Sequence, residues 1–380
     1  MSSTKIIKQF ANPKFFDLPL NKIKSKYLSF KYGFLSQNIE TINPYIFICN
    51  KTTKLDHYFV ENYIQSAHVF LKDIIIQKLN NNTLLEKDKQ ELLKNLKLLK
   101  TAMISVVIFP EKNYSIFGDS NFLPLSVTNF LKETSFDIKF LNLVGTYYSY
   151  PIWSKEFKRC NCYFNQQKTI KSIELENKSN KEVNELINSS MPSSASIYSK
   201  KYNINIRSNK RAEGVEQIIY YCVNCKHLFS VYSEFNCLKC KNCGTAIEFS
   251  NSGEILLSNE VGSLDDIKKL QFDALKNIEF TINPIITYNN IKFLSVLYLN
   301  SYKVLGDINI EIYADKIKFY KNSYNKEIMF NDLFSIDLDF NNIICLTLLS
   351  GEKIAFKGEH KENFYIIIDL FHIIKNNTKN

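Results

Sequence analysis

Short apolar segments of strand length alternate with amphipathic segments of helix length in the first part of the chain. Residues 44–50, 103–109 and 139–144 are largely apolar. Residues 57–79 and 84–99 carry apolar side chains three or four positions apart, which is the helical spacing. Strands that alternate with helices of this length predict an α/β domain built on a parallel sheet.

Polar side chains directly follow the first two predicted strands. Asn50 and Lys51 come after the first strand, with Asp56 a few residues further along. The second strand ends at Pro110, which has no N–H for a sheet ladder, and Glu111 follows it. Since ligands of open α/β sheets bind at the carboxyl ends of the strands, these residues predict a site at that edge.

The same two segments resemble the motifs of the 1-acylglycerol-3-phosphate (lysophospholipid) acyltransferase family. That family carries Asn-His-x-x-x-x-Asp after one strand and Phe-Pro-Glu-Gly-Thr-Arg-Ser after a later strand. The second motif is matched at Phe109, Pro110, Glu111 and Ser115. The first motif is matched at Asn50 and Asp56, whereas Lys51 stands in the position of the family's catalytic histidine.

The resemblance implies a role for each matched residue. In the family, the histidine takes the proton of the acceptor hydroxyl and the aspartate orients the histidine. Lys51 and Asp56 are therefore the candidate catalytic residues, with Asp56 as the orienting acid. The candidate substrate-binding residues are Asn50, Glu111, Tyr114 and Ser115.

Three interpretations of Lys51 are open. Lys51 could be the base. A lysine has a reference pKa of about 10.4, so its surroundings would have to lower that pKa, whereas a nearby Asp56 favours the charged form. Lys51 could instead bind a phosphate or carboxylate as a cation at a helix N-terminus. The domain could also bind lipid without catalysis. His57 is not expected to replace the histidine, since its side chain would point about 100° further round the helix than that of Asp56.

Further segments resemble one bacterial branch of this family. That branch has Tyr-Ser in the second motif, as at Tyr114. It then has a strand ending in Gly145, a Pro-x-Trp motif at Pro151 and Trp153, and the sequence Arg-Ala-Glu-Gly at residues 211–214. The resemblance covers most of the chain and implies a zinc ribbon and a β-rich C-terminal domain after this point.

Five of the nine cysteines lie close together in the sequence, at Cys222, Cys225, Cys237, Cys240 and Cys243. Pairs of cysteines two residues apart form knuckles, and two knuckles complete a four-sulfur site for a structural Zn²⁺. We favour Cys222, Cys225, Cys240 and Cys243 as ligands, because Gly244 can adopt the positive φ of a knuckle. Cys237 with Cys240 is the alternative second pair, and His227 is a weaker candidate.

The last hundred residues change character. Residues 307–312 and 335–340 alternate apolar and polar side chains with period two, and residues 361–374 read as a closing helix. Residues 165–213 are polar and are interpreted as a connector with one helix at 181–187. The predicted domains are an acyltransferase-like α/β domain at 1–213, a zinc ribbon at 214–255 and a β-rich domain, similar to a pleckstrin-homology module, at 256–380.

The formal net charge of +10 favours an anionic partner such as a membrane surface. The basic, apolar segment at residues 1–33 suits either an anionic membrane surface or docking on the domain as an N-terminal strand or helix. No apolar run reaches the roughly 20 residues that span a bilayer, and no secretory leader is recognised. We therefore expect a cytoplasmic protein, peripheral on the inner face of the membrane.

The expected reaction is transfer of an acyl chain from acyl-CoA, acyl carrier protein or acyl phosphate to a lysophospholipid. Two alternatives are kept. One is an inactive lipid-binding or scaffold protein on the same fold, supported by Lys51. The other is a nucleic-acid-binding zinc ribbon, supported by Lys226, Lys239 and Lys241, although most charged runs of this kind are solvated faces.

Overall fold

The computed structural model describes residues 7, 9–19, 43–53, 56–64, 66–111, 113–119, 122–191, 195–257, 260–277, 283–297, 301–359 and 362–377. The chain divides into two compact units. The first is Met1–Pro151 with Phe157–Arg207, and the second is Ile152–Glu156 with Ser208–Asn380. The predicted basic segment at residues 1–33 lies largely outside the described residues. The predicted three-domain boundaries stay a prediction.

The first unit is built around one sheet that is covered by helices. Its elements in chain order are β1 (Phe16–Asp17), β2 (Tyr45–Cys49), α1 (Asp56–Tyr63), β3 (His68–Leu71), α2 (Asp73–Asn80), α3 (Glu86–Thr101), β4 (Ser105–Ile108), α4 (Leu125–Glu133), β5 (Asp137–Val144), α5 (Thr146–Ser149), β6 (Arg159–Cys160), β7 (Tyr163–Ile170), α6 (Ser172–Glu176), α7 (Asn180–Ser190), α8 (Ala195–Lys201) and β8 (Ile206–Arg207).

The strand order of the main sheet is β1-β3-β4-β2-β5-β7. The four inner strands β3, β4, β2 and β5 are parallel, and the two edge strands β1 and β7 pair antiparallel with their neighbours. The α/β sheet predicted from the alternation of strands and helices is therefore confirmed for the inner strands, and the complete sheet is mixed.

The inner strands are buried on both faces. On β2, Ile46 and Ile48 pack into one apolar cluster, while Phe47 and Cys49 pack into a second cluster. The side chains of β3 and β4 also alternate between these two clusters along each strand. Because successive strand side chains point to opposite faces, a continuous apolar run forms a core on each side of the sheet.

The predicted helix at residues 57–79 is wrong in its middle. α1 ends at Tyr63, and the chain then forms β3, where Val69 pairs in register with Val106. Every residue of β3 is buried. A short, continuous apolar run fits a helical periodicity and a strand buried on both faces equally well, and pairing with β4 decides between the two.

The interpretation of residues 165–213 as a connector is also wrong. Residues 163–170 form β7 along the edge of the main sheet, and α6, α7 and α8 follow. α7 begins with a capping box, in which Ser179 accepts from the Glu182 N–H and the Glu182 carboxylate accepts from the Ser179 N–H. Its apolar residues Val183 and Ile187 are buried, so this polar segment still contributes to the core.

The second unit contains short strands followed by a large antiparallel sheet. Its elements in chain order are a 3-10 helix (Val215–Gln217), β9 (Val231–Glu234), β10 (Cys237–Cys240), β11 (Ala246–Glu248), β12 (Ile255–Leu257), β13 (Glu260–Gly262), α9 (Leu264–Lys276), β14 (Ile286–Val296), β15 (Tyr302–Ile312), β16 (Lys316–Lys321), β17 (Tyr324–Met329), a 3-10 helix (Phe330–Asp332), β18 (Leu333–Asp339), β19 (Ile343–Leu348), β20 (Lys353–Lys357) and α10 (Tyr365–Asn377).

The large sheet has seven strands in the order β17-β16-β15-β14-β20-β19-β18, all antiparallel. The β-rich C-terminal region and its closing helix are confirmed, and the likeness to a pleckstrin-homology module stays a prediction. Within the described part of the chain, we find no helix with the length and apolar content required to cross a membrane.

Candidate active site and metal centre

The candidate active site lies at the carboxyl edge of the four parallel strands. Lys51 follows β2, Asp73 follows β3, Glu111 follows β4 and Thr146 follows β5. Lys51, Glu111 and Thr146 are buried, whereas the Asp73 side chain is 42% exposed. Loops that leave adjacent parallel strands at the same edge must meet there, and this edge is where open α/β sheets bind ligands.

Backbone hydrogen bonds join the segments that carry the two sequence motifs. The Lys51 N–H donates to Oε2 of Glu111, and the Ser115 N–H donates to the Lys51 carbonyl at 3.1 Å. Glu111 is 2% exposed. A buried carboxylate that accepts a backbone N–H holds the neighbouring loop in a fixed conformation, so Glu111 positions the backbone of Lys51.

Asp56 is occupied by the loop that precedes α1. Its carboxylate accepts from the N–H groups of Thr52 and Thr53 at 2.6 and 2.9 Å, and from the Thr52 hydroxyl at 2.8 Å. The Thr52 hydroxyl also pairs with the Thr146 hydroxyl at 2.7 Å. Burial raises the pKa of Asp56 to about 7, and these hydrogen bonds oppose that shift. Asp56 therefore fixes the turn between β2 and α1.

The ammonium group of Lys51 pairs with Asp73. Its Nζ lies 3.1 Å from Oδ2 of Asp73 and 4.9 Å from the centroid of the Tyr114 ring. The sequence interpretation placed Asp56 beside this lysine as the acid that orients the catalytic group. In the structure the carboxylate paired with Lys51 is that of Asp73, and the Asp56 carboxylate accepts hydrogen bonds from the backbone of its own turn.

The other predicted substrate-binding residues have different environments. The Asn50 amide accepts from the Leu143 N–H at 2.7 Å and donates to the Leu143 carbonyl at 3.3 Å, so it links the end of β2 to β5. The Ser115 hydroxyl is buried and has no hydrogen-bond partner among the described residues. The Tyr114 ring lies beside the Lys51 ammonium. Asn50 is thus part of the scaffold, and Ser115 and Tyr114 adjoin the charged centre.

Sequence reasoning missed His57 as a neighbour of this centre. The His57 ring packs against Phe70 of β3 at 4.6 Å and against Phe109, just after β4, at 4.8 Å between ring centroids. The charges of Asp73 and Lys51 both act on its imidazole. The signal was present as the Asp-His pair at the start of α1, but the face that His57 occupies is formed by β3, which the sequence interpretation did not contain.

The four favoured cysteines form a compact cluster in the second unit. The Sγ atoms of Cys222, Cys225, Cys240 and Cys243 all lie within 4.8 Å of one another. Two of the pairs, Cys222 with Cys243 and Cys225 with Cys240, are 3.7 Å apart. A tetrahedral site with Zn–S bonds of about 2.3 Å has sulfur–sulfur distances of about 3.8 Å, so this donor set fits Zn²⁺.

The local backbone explains why these cysteines converge and Cys237 does not join them. Gly244 has φ +72° and its N–H donates to the Cys240 carbonyl, while the Lys226 N–H donates to the Cys222 carbonyl in the first knuckle. Cys237 lies on β10, opposite Glu234 and Glu248 in register, and is not among the clustered sulfurs. The four sulfurs leave no open coordination position, which is typical of a structural site.

Comparisons with solved structures give low similarities, of which two are described here. No family model matches the sequence, and no curated protein matches it. The 1-acyl-sn-glycerophosphate (LPA) acyltransferase of Thermotoga maritima aligns at 15% identity and a TM-score of 0.34, over 44% of this chain and 75% of that one. The inner membrane complex sub-compartment protein 3 of Toxoplasma gondii aligns at 16% identity and a TM-score of 0.20, over 29% of this chain and 87% of that one. Similarities this low assign no function.

Proposed function

We propose that this protein is an acyltransferase of phospholipid synthesis, which transfers an acyl chain to the free hydroxyl of a lysophospholipid such as 1-acylglycerol-3-phosphate. The observation that carries the proposal is the joining of the two motif segments by the Lys51–Glu111 and Ser115–Lys51 hydrogen bonds. Two sequence segments about sixty residues apart that resemble one family's motifs meet at one edge of the sheet.

The charged centre suits an anionic acceptor. The Lys51 ammonium is nearly buried and its partner Asp73 is partly exposed, so a phosphate that displaces Asp73 gains a charge-assisted hydrogen bond. Ser115 supplies a buried hydroxyl without a partner in the described residues, which is a further donor for a phosphate or an oxyanion. In this proposal Asp56 and Glu111 hold the loop that presents Lys51.

The remaining parts have supporting roles in the proposal. The acyl donor is acyl-CoA, acyl carrier protein or acyl phosphate. The excess of basic residues attracts the protein to an anionic membrane surface, on the cytoplasmic face, where its lipid substrates reside. The four-cysteine centre holds a structural Zn²⁺ and takes no part in the reaction.

The test is an acylation assay with purified, folded protein and lysophosphatidic acid in anionic vesicles, with each of the three donors in turn. We expect turnover with at least one donor and its loss in Glu111→Ala. Glu111→Gln keeps an oxygen that accepts the Lys51 N–H, so it should retain more activity than the alanine variant. Glu185→Ala, at an exposed position of α7, is the matched control. Wild-type protein without turnover for any donor would refute the proposal.

A second candidate function is lipid binding without catalysis on the same fold. The Lys51–Asp73 ion pair favours lipid binding without catalysis. The residue at the position of the family's histidine is then a lysine whose ammonium is already paired with a carboxylate. The variant Lys51→His distinguishes the two functions. Acylation that appears only in Lys51→His, with vesicle binding equal in both proteins, would identify the natural protein as a lipid binder.

A further inference from the structure

His57 is held rigidly at the edge of the candidate active site. Its imidazole packs against the rings of Phe70 and Phe109 at interplanar angles of 31° and 28°, and these two rings lie side by side, nearly parallel, with centroids 6.4 Å apart. The two aromatic contacts restrict the orientation of the imidazole. No group of the described residues makes a hydrogen bond to the imidazole nitrogens. A fixed imidazole with open nitrogens is therefore present where the acceptor is proposed to bind.

The charged groups around His57 come from three elements. Asp73 at the start of α2 and Asp17 of β1 favour the protonated ring, while Lys51 after β2 opposes protonation. The largest influence is burial, and the net effect lowers the pKa of His57 below its usual 6.5. The ring is thus neutral at physiological pH, and a neutral imidazole is the form that accepts a proton.

We infer that His57 is the proton acceptor of the proposed acyl transfer, with Lys51 held by Asp73 as a cation for the acceptor phosphate. The inference rests on the proposed function. It assigns the base to the second residue of α1 instead of the position that the family motif gives to histidine. Lys51 would have to abandon its ion pair to act as a base, whereas His57 is neutral without any rearrangement.

The reaction balances with these groups. A nitrogen of His57 takes the proton of the lysophospholipid hydroxyl as that oxygen bonds to the carbonyl carbon of the acyl donor. The bond between this carbon and the sulfur of a thioester, or the oxygen of an acyl phosphate, then breaks. The leaving thiolate or phosphate takes up the proton from the imidazolium, so the neutral ring is regenerated.

The test compares His57→Gln, Lys51→Arg and wild type in the vesicle acylation assay. Loss of a general base lowers turnover by about 10²- to 10⁴-fold, and we expect a fall in kcat of this size in His57→Gln. Lys51→Arg keeps a cation that pairs with Asp73 and the Tyr114 ring but is always protonated, so we expect less than a tenfold fall. His372→Gln, at an exposed position of α10, is the histidine control.

The pH profile of the wild-type enzyme is a readout that needs no variant. We expect kcat/KM to rise with a midpoint below pH 6.5 and then to stay level. A midpoint above pH 8 would overturn the inference and make Lys51 the base. A loss of turnover in Lys51→Arg as large as the loss expected for His57→Gln would do the same. Full activity of folded His57→Gln overturns the inference while the proposed function stands. A wild type without turnover refutes both.

Discussion

Asp369 is a buried carboxyl whose ionisation should make the second unit less stable as the pH rises. It lies on α10, is 2% exposed, and accepts a hydrogen bond of 2.7 Å from the Tyr220 hydroxyl. Burial raises its pKa from the usual 3.8 to about 7, against the opposing effects of Tyr220 and of the positive charge on Lys268. Between these two pH values the folded protein binds a proton that the unfolded chain has released.

The size of the effect follows from linkage. Each unit of difference between the folded and unfolded pKa is worth about 1.4 kcal/mol, so a rise from 3.8 to about 7 amounts to about 4 kcal/mol. The stabilisation is fully present below pH 3.8 and is lost as the pH rises through 7. An asparagine at this position stays neutral and can still accept from Tyr220. The free energy of unfolding of wild type should therefore fall by about 3 kcal/mol relative to that of Asp369→Asn when the pH is raised from 5 to 8.

The assay is urea unfolding of wild type and Asp369→Asn at several values between pH 5 and pH 8. The difference between the two proteins cancels the titration of other groups, including Asp56 and the metal site, that both proteins share. Asp273→Asn is the control, because that carboxyl is 68% exposed on α9. Curves of unfolding free energy against pH that run parallel for wild type and Asp369→Asn would refute the reasoning.

Three further predictions concern the metal site, one glycine and the sheet edge. Cys222→Ser should lower zinc content and soluble yield together, whereas Cys237→Ser should keep one zinc per chain by elemental analysis; equal zinc in both variants would contradict the ligand assignment. Gly214→Ala should sharply reduce folded yield, since φ is +97° and an added Cβ would lie 2.1 Å from the Trp153 carbonyl; a normal melting temperature would contradict this contact. Asn50→Ala removes the side-chain oxygen that accepts from the buried Leu143 N–H and should cost about 1–3 kcal/mol of unfolding free energy, with Asn95→Ala, a half-buried asparagine of α3, as the comparison.

The elements that the sequence predicts well are those whose local pattern and tertiary environment agree. β2 and β4 are short apolar runs that end in polar residues, and both are inner parallel strands. The period-two segments of the last hundred residues are strands of the antiparallel sheet. The cysteine knuckles are local motifs, and Gly244 adopts the positive φ expected of it.

The elements that the sequence predicts poorly depend on pairing between distant segments. The residues of β3 fit a helical spacing, and only the ladder with β4 makes them a strand. β7 is polar because it lies at the edge of the sheet, where one side is open to solvent, and its composition resembles that of a connector. In both cases hydrogen bonds to a distant strand determine that the segment is a strand, and the local sequence pattern does not indicate this pairing.

One error in the predicted elements hides two residues of the candidate site. With residues 57–79 as a single helix, Asp73 would lie far along that helix and Phe70 would not belong to the sheet. Once β3 is a strand, Asp73 follows its carboxyl end, next to Lys51, and Phe70 packs against His57. The partner of Lys51 and the position of His57 therefore both follow from the same strand.

The neighbours of Lys51 also bear on the lysine that stands where the resembled acyltransferase motif has a histidine. A lysine in that position is an obstacle to catalysis only if the base must be at that position. The Lys51–Asp73 pair keeps a positive charge beside the proposed phosphate site, and His57 is a neutral imidazole beside the same pair. Charge and basicity, which one histidine would otherwise combine, are then divided between two side chains. This division requires both residues, so Lys51→Met should impair acceptor binding, seen as a raised KM, while His57→Gln should lower kcat.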